Sequence, residues 1–435
     1  MMMRFLVALF LFAMPVQAAV PIKEVVSPGG IKAWLVEEHS IPFVALEIRF
    51  RGGTSLDPEG KRGVVNLMTG LIEEGTGDLD AQGFAEARDA LAADFRFNVG
   101  QDSLSVSARM LTENRDQSVD LLRQALVSPR FDEAAITRVR GQVLSMIRSD
   151  DTDPGAIANR AFDRAAFGAH PYGSSGDGTA ETVSALTRDD ILAAHRAAIA
   201  RDRVYVAAVG DITAEELGAL MDRLLGDLPE TGAPLPGRAD YALKGGVTVV
   251  DYPSPQSLIL FGHEGIKRDD PDFFAAFILN EILGGQRFTG RLMTEIREKR
   301  GLTYGVGSYL AAMDQAELVM GQLSTDNRTA GQVIDLIRAE WRKIVENGVS
   351  PEELAAAQTY LTGAYPLRFD GNRPIANILV GMQMEGLPIT YVETRNDQIN
   401  AVTVEDIARV AGRLLQPDAL HFVVVGKPEG IGAAP

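Results

Sequence analysis

Apolar positions along the chain keep two different periods. Short runs alternate apolar with polar residues or stay apolar throughout, and longer runs repeat every three to four positions. The first pattern predicts strands and the second helices. Strand candidates in the first half are "GIKAWLVEE", "FVALEIRFRGG", "SLSVSARML" and "RVYVAAVG". In the second half they are "GGVTVVDY", "QSLILFGHEG", "LTYGVGSYLA", "AELVMGQLS" and "LHFVVVG". Helical runs such as "DDPDFFAAFILNEILGG" and "SPEELAAAQTYLTGAY" lie between them. Hairpin-like strand neighbours set apart from helical runs predict an α+β fold, an antiparallel sheet with helices on one face.

The pattern also repeats. Residues 187–210, "TRDDILAAHRAAIARDRVYVAAVG", align without a gap on residues 403–426, "TVEDIARVAGRLLQPDALHFVVVG". Each opens on Thr-x-x-Asp, a capping-box-like helix start. Each continues as an amphipathic helix, crosses an Asp-containing turn and ends in an apolar strand before Gly. The two segments lie about half the chain apart, which predicts two homologous domains of one fold. A stretch rich in Pro and Gly with no helical period, residues 229–246, is the expected linker. It separates an N-terminal domain at 19–228 from a C-terminal one at 247–435.

Composition narrows the setting. A chain of 435 residues with 46% hydrophobic positions can bury sizeable cores in two domains. The net charge of −17 argues against nucleic acid and against an anionic membrane surface. The start, "MMMRFLVALFLFAMPVQAAVP", has one early Arg, an apolar run too short to span a bilayer, and small residues at Val16 and Ala18. It reads as a signal peptide cleaved after residue 18, which places the mature protein in the periplasm of a Gram-negative bacterium. With no cysteine, disulfides, a lipoprotein anchor and thiolate ligands are all excluded.

Candidate chemistry is sparse. Five histidines, His39, His170, His195, His263 and His421, include no pair at helical i, i+4 spacing and no H-E-x-x-H. Neither a G-x-S-x-G elbow nor a P-loop is present. His263-Glu264 falls in a strand candidate, where neighbouring side chains face opposite ways. Each histidine is expected at the surface or behind a site rather than on a metal.

Three blocks, residues 51–77, 169–191 and 279–308, together resemble the pitrilysin/insulinase family of zinc peptidases, and especially its short, processing-peptidase-like bacterial members. The third, "LNEILGGQRFTGRLMTEIREKRGLTYGVGS", is the most specific. The resemblance implies a helix carrying an inverted zinc motif, H-x-x-E-H, between Gly63 and Gly75-Thr76. This sequence reads Asn66, Leu67, Met68, Thr69, Gly70 there. The implied third ligand, a Glu on a later helix, falls at Met146, so the ligands and the general base are all missing. Zinc hydrolysis needs three N or O donors and an open position for water, which Asn, Gly and Met do not supply. The apolar spacing of Val64, Leu67, Met68, Leu71 and Ile72 still predicts a packed helix.

The same resemblance assigns Arg297 and Tyr304 to a pair that reaches a peptide at the zinc. Locally, "GRLMTEIREK" predicts a helix with Arg297 in its last turn, Gly301 a left-handed cap, and Tyr304 an early position in the next strand. Gly284 and Gly285 match a glycine-rich turn that lets a backbone come close. The implied protein is therefore the non-metal subunit of a heterodimeric peptidase. It binds no cofactor itself, and zinc is expected in a homologous H-x-x-E-H partner that closes with it around a peptide or unfolded protein. Two alternatives are a non-catalytic scaffold or peptide-binding core subunit, and a metallopeptidase rebuilt around His263-Glu264.

Overall fold

The computed structural model describes residues 21–285 and 289–431. The expected signal peptide and residues 286–288 of the glycine-rich turn lie outside the described residues. Among the described residues, no helix is long and apolar enough to cross a membrane.

Two sheets organise the chain. The first is built from β1 (Lys23–Val26), β2 (Lys32–Glu37), β3 (Phe43–Arg51), β6 (Asp94–Val99), β7 (Ser103–Leu111) and β8 (Val204–Gly210), in the order β1-β2-β8-β3-β7-β6. Between them β4 (Gly75–Thr76) and β5 (Leu79–Asp80) form a small separate ribbon. The second sheet contains β9 (Gly246–Asp251), β10 (Gln256–Glu264), β11 (Val306–Ala312), β12 (Glu317–Asp326) and β13 (His421–Gly426). Its order, β9-β13-β10-β12-β11, repeats β2-β8-β3-β7-β6 strand for strand. All neighbours are antiparallel except β2 with β8 and β13 with β9. The fold is the α+β duplication that the repeated pattern predicts. Strand β6 had no strand candidate, because "DFRFNV" pairs only at the sheet edge and is apolar on one side alone.

Among the described residues, the first half holds α1 (Val64–Thr69), α2 (Ala81–Ala90), α3 (Arg115–Val127), α4 (Glu133–Asp150), α5 (Pro154–Phe167), α6 (Ala180–Ala185), α7 (Arg188–Ala198) and α8 (Ala214–Leu225). In the second half the described residues form α9 (Phe273–Gly284), α10 (Ala330–Asn347), α11 (Pro351–Ala364), α12 (Asn372–Met384), α13 (Tyr391–Asn400) and α14 (Val404–Leu414). Both repeated Thr-x-x-Asp starts are complete capping boxes, Thr187 with Asp190 on α7 and Thr403 with Asp406 on α14.

Each sheet buries one apolar face under helices of its own half. On the first, Leu46, Ile48, Leu104 and Val106 pack with α1, α3, α4 and α7. On the second, Ile259, Phe261, Val319 and Phe422 pack with α9, α10 and α14. The opposite faces hold a helix that periodicity alone does not assign, one exchanged between the halves. Phe162, Ala166 and Phe167 of α5 pack on Leu260, Met320, Val423 and Val425 of the second sheet. Ala376, Leu379 and Val380 of α12 pack on Trp34, Val36, Ala207 and Val209 of the first. A Cβ at Gly262 of β10 would sit 2.5 Å from the Met320 sulfur and 3.3 Å from Cζ of the Phe162 ring. The strand gives up a side chain there, and Met320 and the ring fill the space.

Polar groups close the same junction. The Tyr172 hydroxyl donates to Asp102 in the β6–β7 turn and accepts from the backbone N–H of Gln315 in the β11–β12 turn at 3.0 Å. Arg51 pairs with Asp314 at 2.7 Å, and the Asp314 N–H reaches Asp102 at 3.2 Å. The two hairpin tips thus meet across the duplication.

Three of the histidines, expected at the surface or behind a site, are buried and bonded within the core. His195 bonds the Leu126 carbonyl at 2.9 Å, and His421 bonds Gly245 and Thr248. His263 accepts the Trp341 indole N–H at 3.1 Å on Nε2, so its own proton sits on Nδ1, facing the Glu264 carbonyl at 2.6 Å. Burial pushes His263 down to about 4. Above the unfolded value of about 6.5 both states are neutral; below it the unfolded chain takes a proton that the folded core refuses. The native chain's advantage over His263→Gln is therefore expected to shrink by about 2 kcal/mol between pH 7.5 and pH 5. Urea unfolding at the two pH values reads it, and an unchanged difference contradicts the buried neutral imidazole.

Candidate functional site

The remnant of the metal motif is a packed helix end. Gly63, at φ 92°, turns the chain into α1, and Asp57 caps it by accepting the N–H groups of Gly63 and Val65 at 2.8 and 2.9 Å. Arg62 pairs with Asp57 at 3.3 Å and donates to the carbonyls of Pro171, Ser174 and Ser175. Burial pushes the Asp57 carboxyl up to about 6, against the pull of those N–H groups and of Arg62.

The side chains at the motif positions are occupied elsewhere. The Asn66 amide donates to Asp177 at 3.0 Å, and the Thr69 hydroxyl donates back to the Val65 carbonyl at 2.7 Å. Gly70 ends α1 against Val139 of α4, to which a Cβ would come within 3.2 Å. Met146 stands two turns beyond Val139 on the same helix and is largely exposed. An amide, a hydroxyl turned to its own backbone, a glycine and a thioether do not fit a zinc ion, which takes imidazole, carboxylate or thiolate. Among the described residues, no three His, Asp or Glu converge as a metal cluster.

The second constellation is a corner on the other sheet. Arg297 falls in a π-helical turn, Met293–Glu298, where an α-helical last turn was expected; the Lys299 N–H reaches back five residues to Thr294. One residue more per turn changes the direction in which the segment aims its side chains, and such turns are frequent at functional sites. Gly301, at φ 62°, ends the turn with its N–H on the Arg297 carbonyl at 2.8 Å, as its place in the sequence predicts. Leu302 is held twice, by its N–H on Ile296 and by the Thr325 hydroxyl on its carbonyl. Thr303 bonds across to the Ser324 carbonyl at 2.8 Å and within its own turn to Gly305. That turn delays the strand to Val306, so Tyr304 lies just before it rather than inside it.

Tyr304 is 92% exposed. It stands between a groove of about 460 Å³, bordered by Gly284, Gly285, Met293, Tyr309 and Gln322, and a smaller one of about 300 Å³ beside Leu258 and Ser324. Arg297 is half-buried on the same corner. Gly284 is needed there, because a Cβ would stand 2.4 Å from the Ser308 hydroxyl and 2.8 Å from its N–H. Gly284, Gly285 and Tyr304 therefore share one groove. Asn66, Thr69, Gly70 and Met146 belong to the helical layer of the other sheet.

The model of "Insulinase (Peptidase family M16)" matches residues 32–179, and that of "Peptidase M16 inactive domain" matches residues 185–361. The chain belongs to the M16 peptidase family. Within that family it is similar to a Helicobacter pylori protein called a non-peptidase homolog, with 25% identity over 98% of each chain. An uncharacterized zinc protease of Streptomyces coelicolor is 25% identical over 89% of this chain and 86% of that one. A crystal structure of a peptidase M16 inactive domain from Pseudomonas fluorescens superposes with a TM-score of 0.87 and 29% identity, covering 94% of this chain and 98% of that one. Relatives called zinc proteases stand beside one called a non-peptidase, and the M16 motif positions of this chain fit the second kind.

The sequence did not point to Asp57, Arg62 and Asp177, which hold α1 in place. The turn "DPEG" directly ahead of the helix is the signal that could have found the cap.

Proposed function

We propose that this M16 chain is the zinc-free subunit of a heterodimeric periplasmic peptidase. It presents Arg297 and Tyr304 to a peptide held at the metal site of a homologous H-x-x-E-H partner. The observation that carries the reading is the contrast between the two constellations. At the motif positions every polar side chain is turned to structural use, whereas Tyr304 projects into solvent from a corner fixed by the hydrogen bonds of Gly301, Leu302, Thr303 and Thr325. An exposed aromatic on a rigid support is poor packing and a good contact. In that role the Arg297 guanidinium donates to a peptide carbonyl, and the Tyr304 hydroxyl donates to the oxyanion of a tetrahedral intermediate.

A scaffold role is the second reading, favoured by the similarity to the Helicobacter non-peptidase homolog. Mixing separates the two. The purified chain alone is expected to cleave no peptide, and chelator-sensitive cleavage is expected to appear when the H-x-x-E-H partner is added. Cleavage by the partner alone at the rate of the mixture would support the scaffold.

A further inference from the structure

Helix α12 lies across β8 and β3, and beyond it the same face of the first sheet is polar. Register places Ser103, Ser105 and Ser107 of β7 on that side, level with Arg51, Arg49 and Glu47 of β3. Asn98 and Arg96 of the edge strand β6 continue the same rows. The alternate positions, Leu104, Val106 and Ala108, are buried under the helices of the other face. Where β3, β7 and β6 meet the start of α12, a cavity of about 430 Å³ opens.

Two rungs cross between β3 and α12 at its wall, and neither satisfies its arginine. Arg49 gives one N–H to the Asn377 carboxamide, while its Nε is buried without a partner. Arg373 stands 3.7 Å from Glu47 and 3.8 Å from Asp94, both beyond hydrogen-bond length. Those acids have nearer partners: Glu47 accepts the Ser107 hydroxyl at 2.7 Å, and Asp94 pairs with Arg96 at 3.2 Å. Two guanidinium groups thus line one small cavity, and Arg373 keeps N–H donors that neither neighbouring acid takes up. A planar anion with two acceptor oxygens suits such forks.

We propose that this cavity receives the C-terminal carboxylate of a bound peptide, held between Arg373 and Arg49. The proposal rests on the reading of the chain as a peptide-handling subunit, and adds to it a preference for substrates with a free C-terminus. Asn98, Asn377 and the serine hydroxyls can pair with the last peptide groups, and the cavity has room for a residue or two. Inorganic phosphate shares the anionic chemistry but has no peptide groups to use them.

The test compares one short, N-terminally fluorescein-labelled, unstructured peptide as its C-terminal acid and as its C-terminal amide. Binding to the purified full chain is read by fluorescence anisotropy. The amide loses the charge and turns N–H groups toward the guanidinium donors, so the acid is expected to bind roughly ten- to a hundredfold tighter. Arg373→Gln is expected to erase the difference. Equal binding of acid and amide to the native chain overturns the cavity assignment and leaves peptide binding standing. If neither peptide binds, whether to the lone chain or to its complex with the H-x-x-E-H partner, the peptide-handling reading falls with it. Tight phosphate binding that Arg373→Gln abolishes, without any acid–amide difference, reassigns the cavity to free phosphate and equally overturns the proposal.

Discussion

Tyr304→Phe in the assembled peptidase is expected to lower kcat/KM by about 10²–10³, the usual effect of losing one donor to a developing oxyanion, and Arg297→Ala is expected to lower it through a raised KM, because its guanidinium holds a peptide carbonyl. Complex formation and metal content are expected to stay unchanged. For Tyr304 the structure explains why the loss should fall on chemistry rather than on folding. Tyr304 is 92% exposed, so replacing its hydroxyl by hydrogen removes no buried bond. The corner is held by Gly301, Leu302, Thr303 and Thr325, none of which these substitutions change. Steady-state kinetics with a fluorogenic peptide, alongside size-exclusion chromatography of the same samples, reads both quantities. Full activity in both variants would mean that the corner serves only as surface, and the scaffold reading would then replace the catalytic one.

Phe162→Ala is expected to destabilise the chain by about 3–5 kcal/mol, the range for emptying a fully buried aromatic site. The expectation is specific about location. Phe162 belongs to the first half by sequence, yet its ring packs on β10 and β13 of the second sheet, above Gly262. The neighbouring residues of α5 hold the backbone in place, so the cavity cannot easily collapse. Urea unfolding gives the magnitude. Hydrogen exchange gives the location, with loss of protection expected in β10 and β13 rather than in the first sheet. A loss confined to the first sheet would contradict the exchange of helices between the halves.

Much of this architecture was legible in the order of residues. Alternation in "SLSVSARML" and the apolar run in "RVYVAAVG" specify strands whatever their neighbours are, because one or both faces are buried. The gapless match of 187–210 with 403–426 carries over into identical capping boxes and identical strand order. What could not be read was where the amphipathic helices α5 and α12 go. Periodicity shows that a helix has an apolar face, but not which sheet that face covers, and here the partner lies in the other half of the chain. The edge strand β6 is short and pairs with β7 alone, and only Phe95 of its apolar side is fully buried. At the candidate site the missing ligands were visible as letters, and the left-handed Gly301 followed from its position after a helical run. The π-helical turn at 293–298 and the Thr303 turn were not visible. The first arises from a backbone hydrogen bond back to Thr294, and the second from the Thr303 hydroxyl, which bonds Gly305 in its own turn and the Ser324 carbonyl of β12.

Zinc stoichiometry, read by native mass spectrometry on the lone chain and on the complex with the H-x-x-E-H partner, tests the central claim most directly. The expected result is a metal-free mass for this chain and a single zinc in the heterodimer, lost when the partner's motif is mutated. A lone chain that carries one tightly held zinc, released on substitution near Asn66 or Met146, would contradict the account.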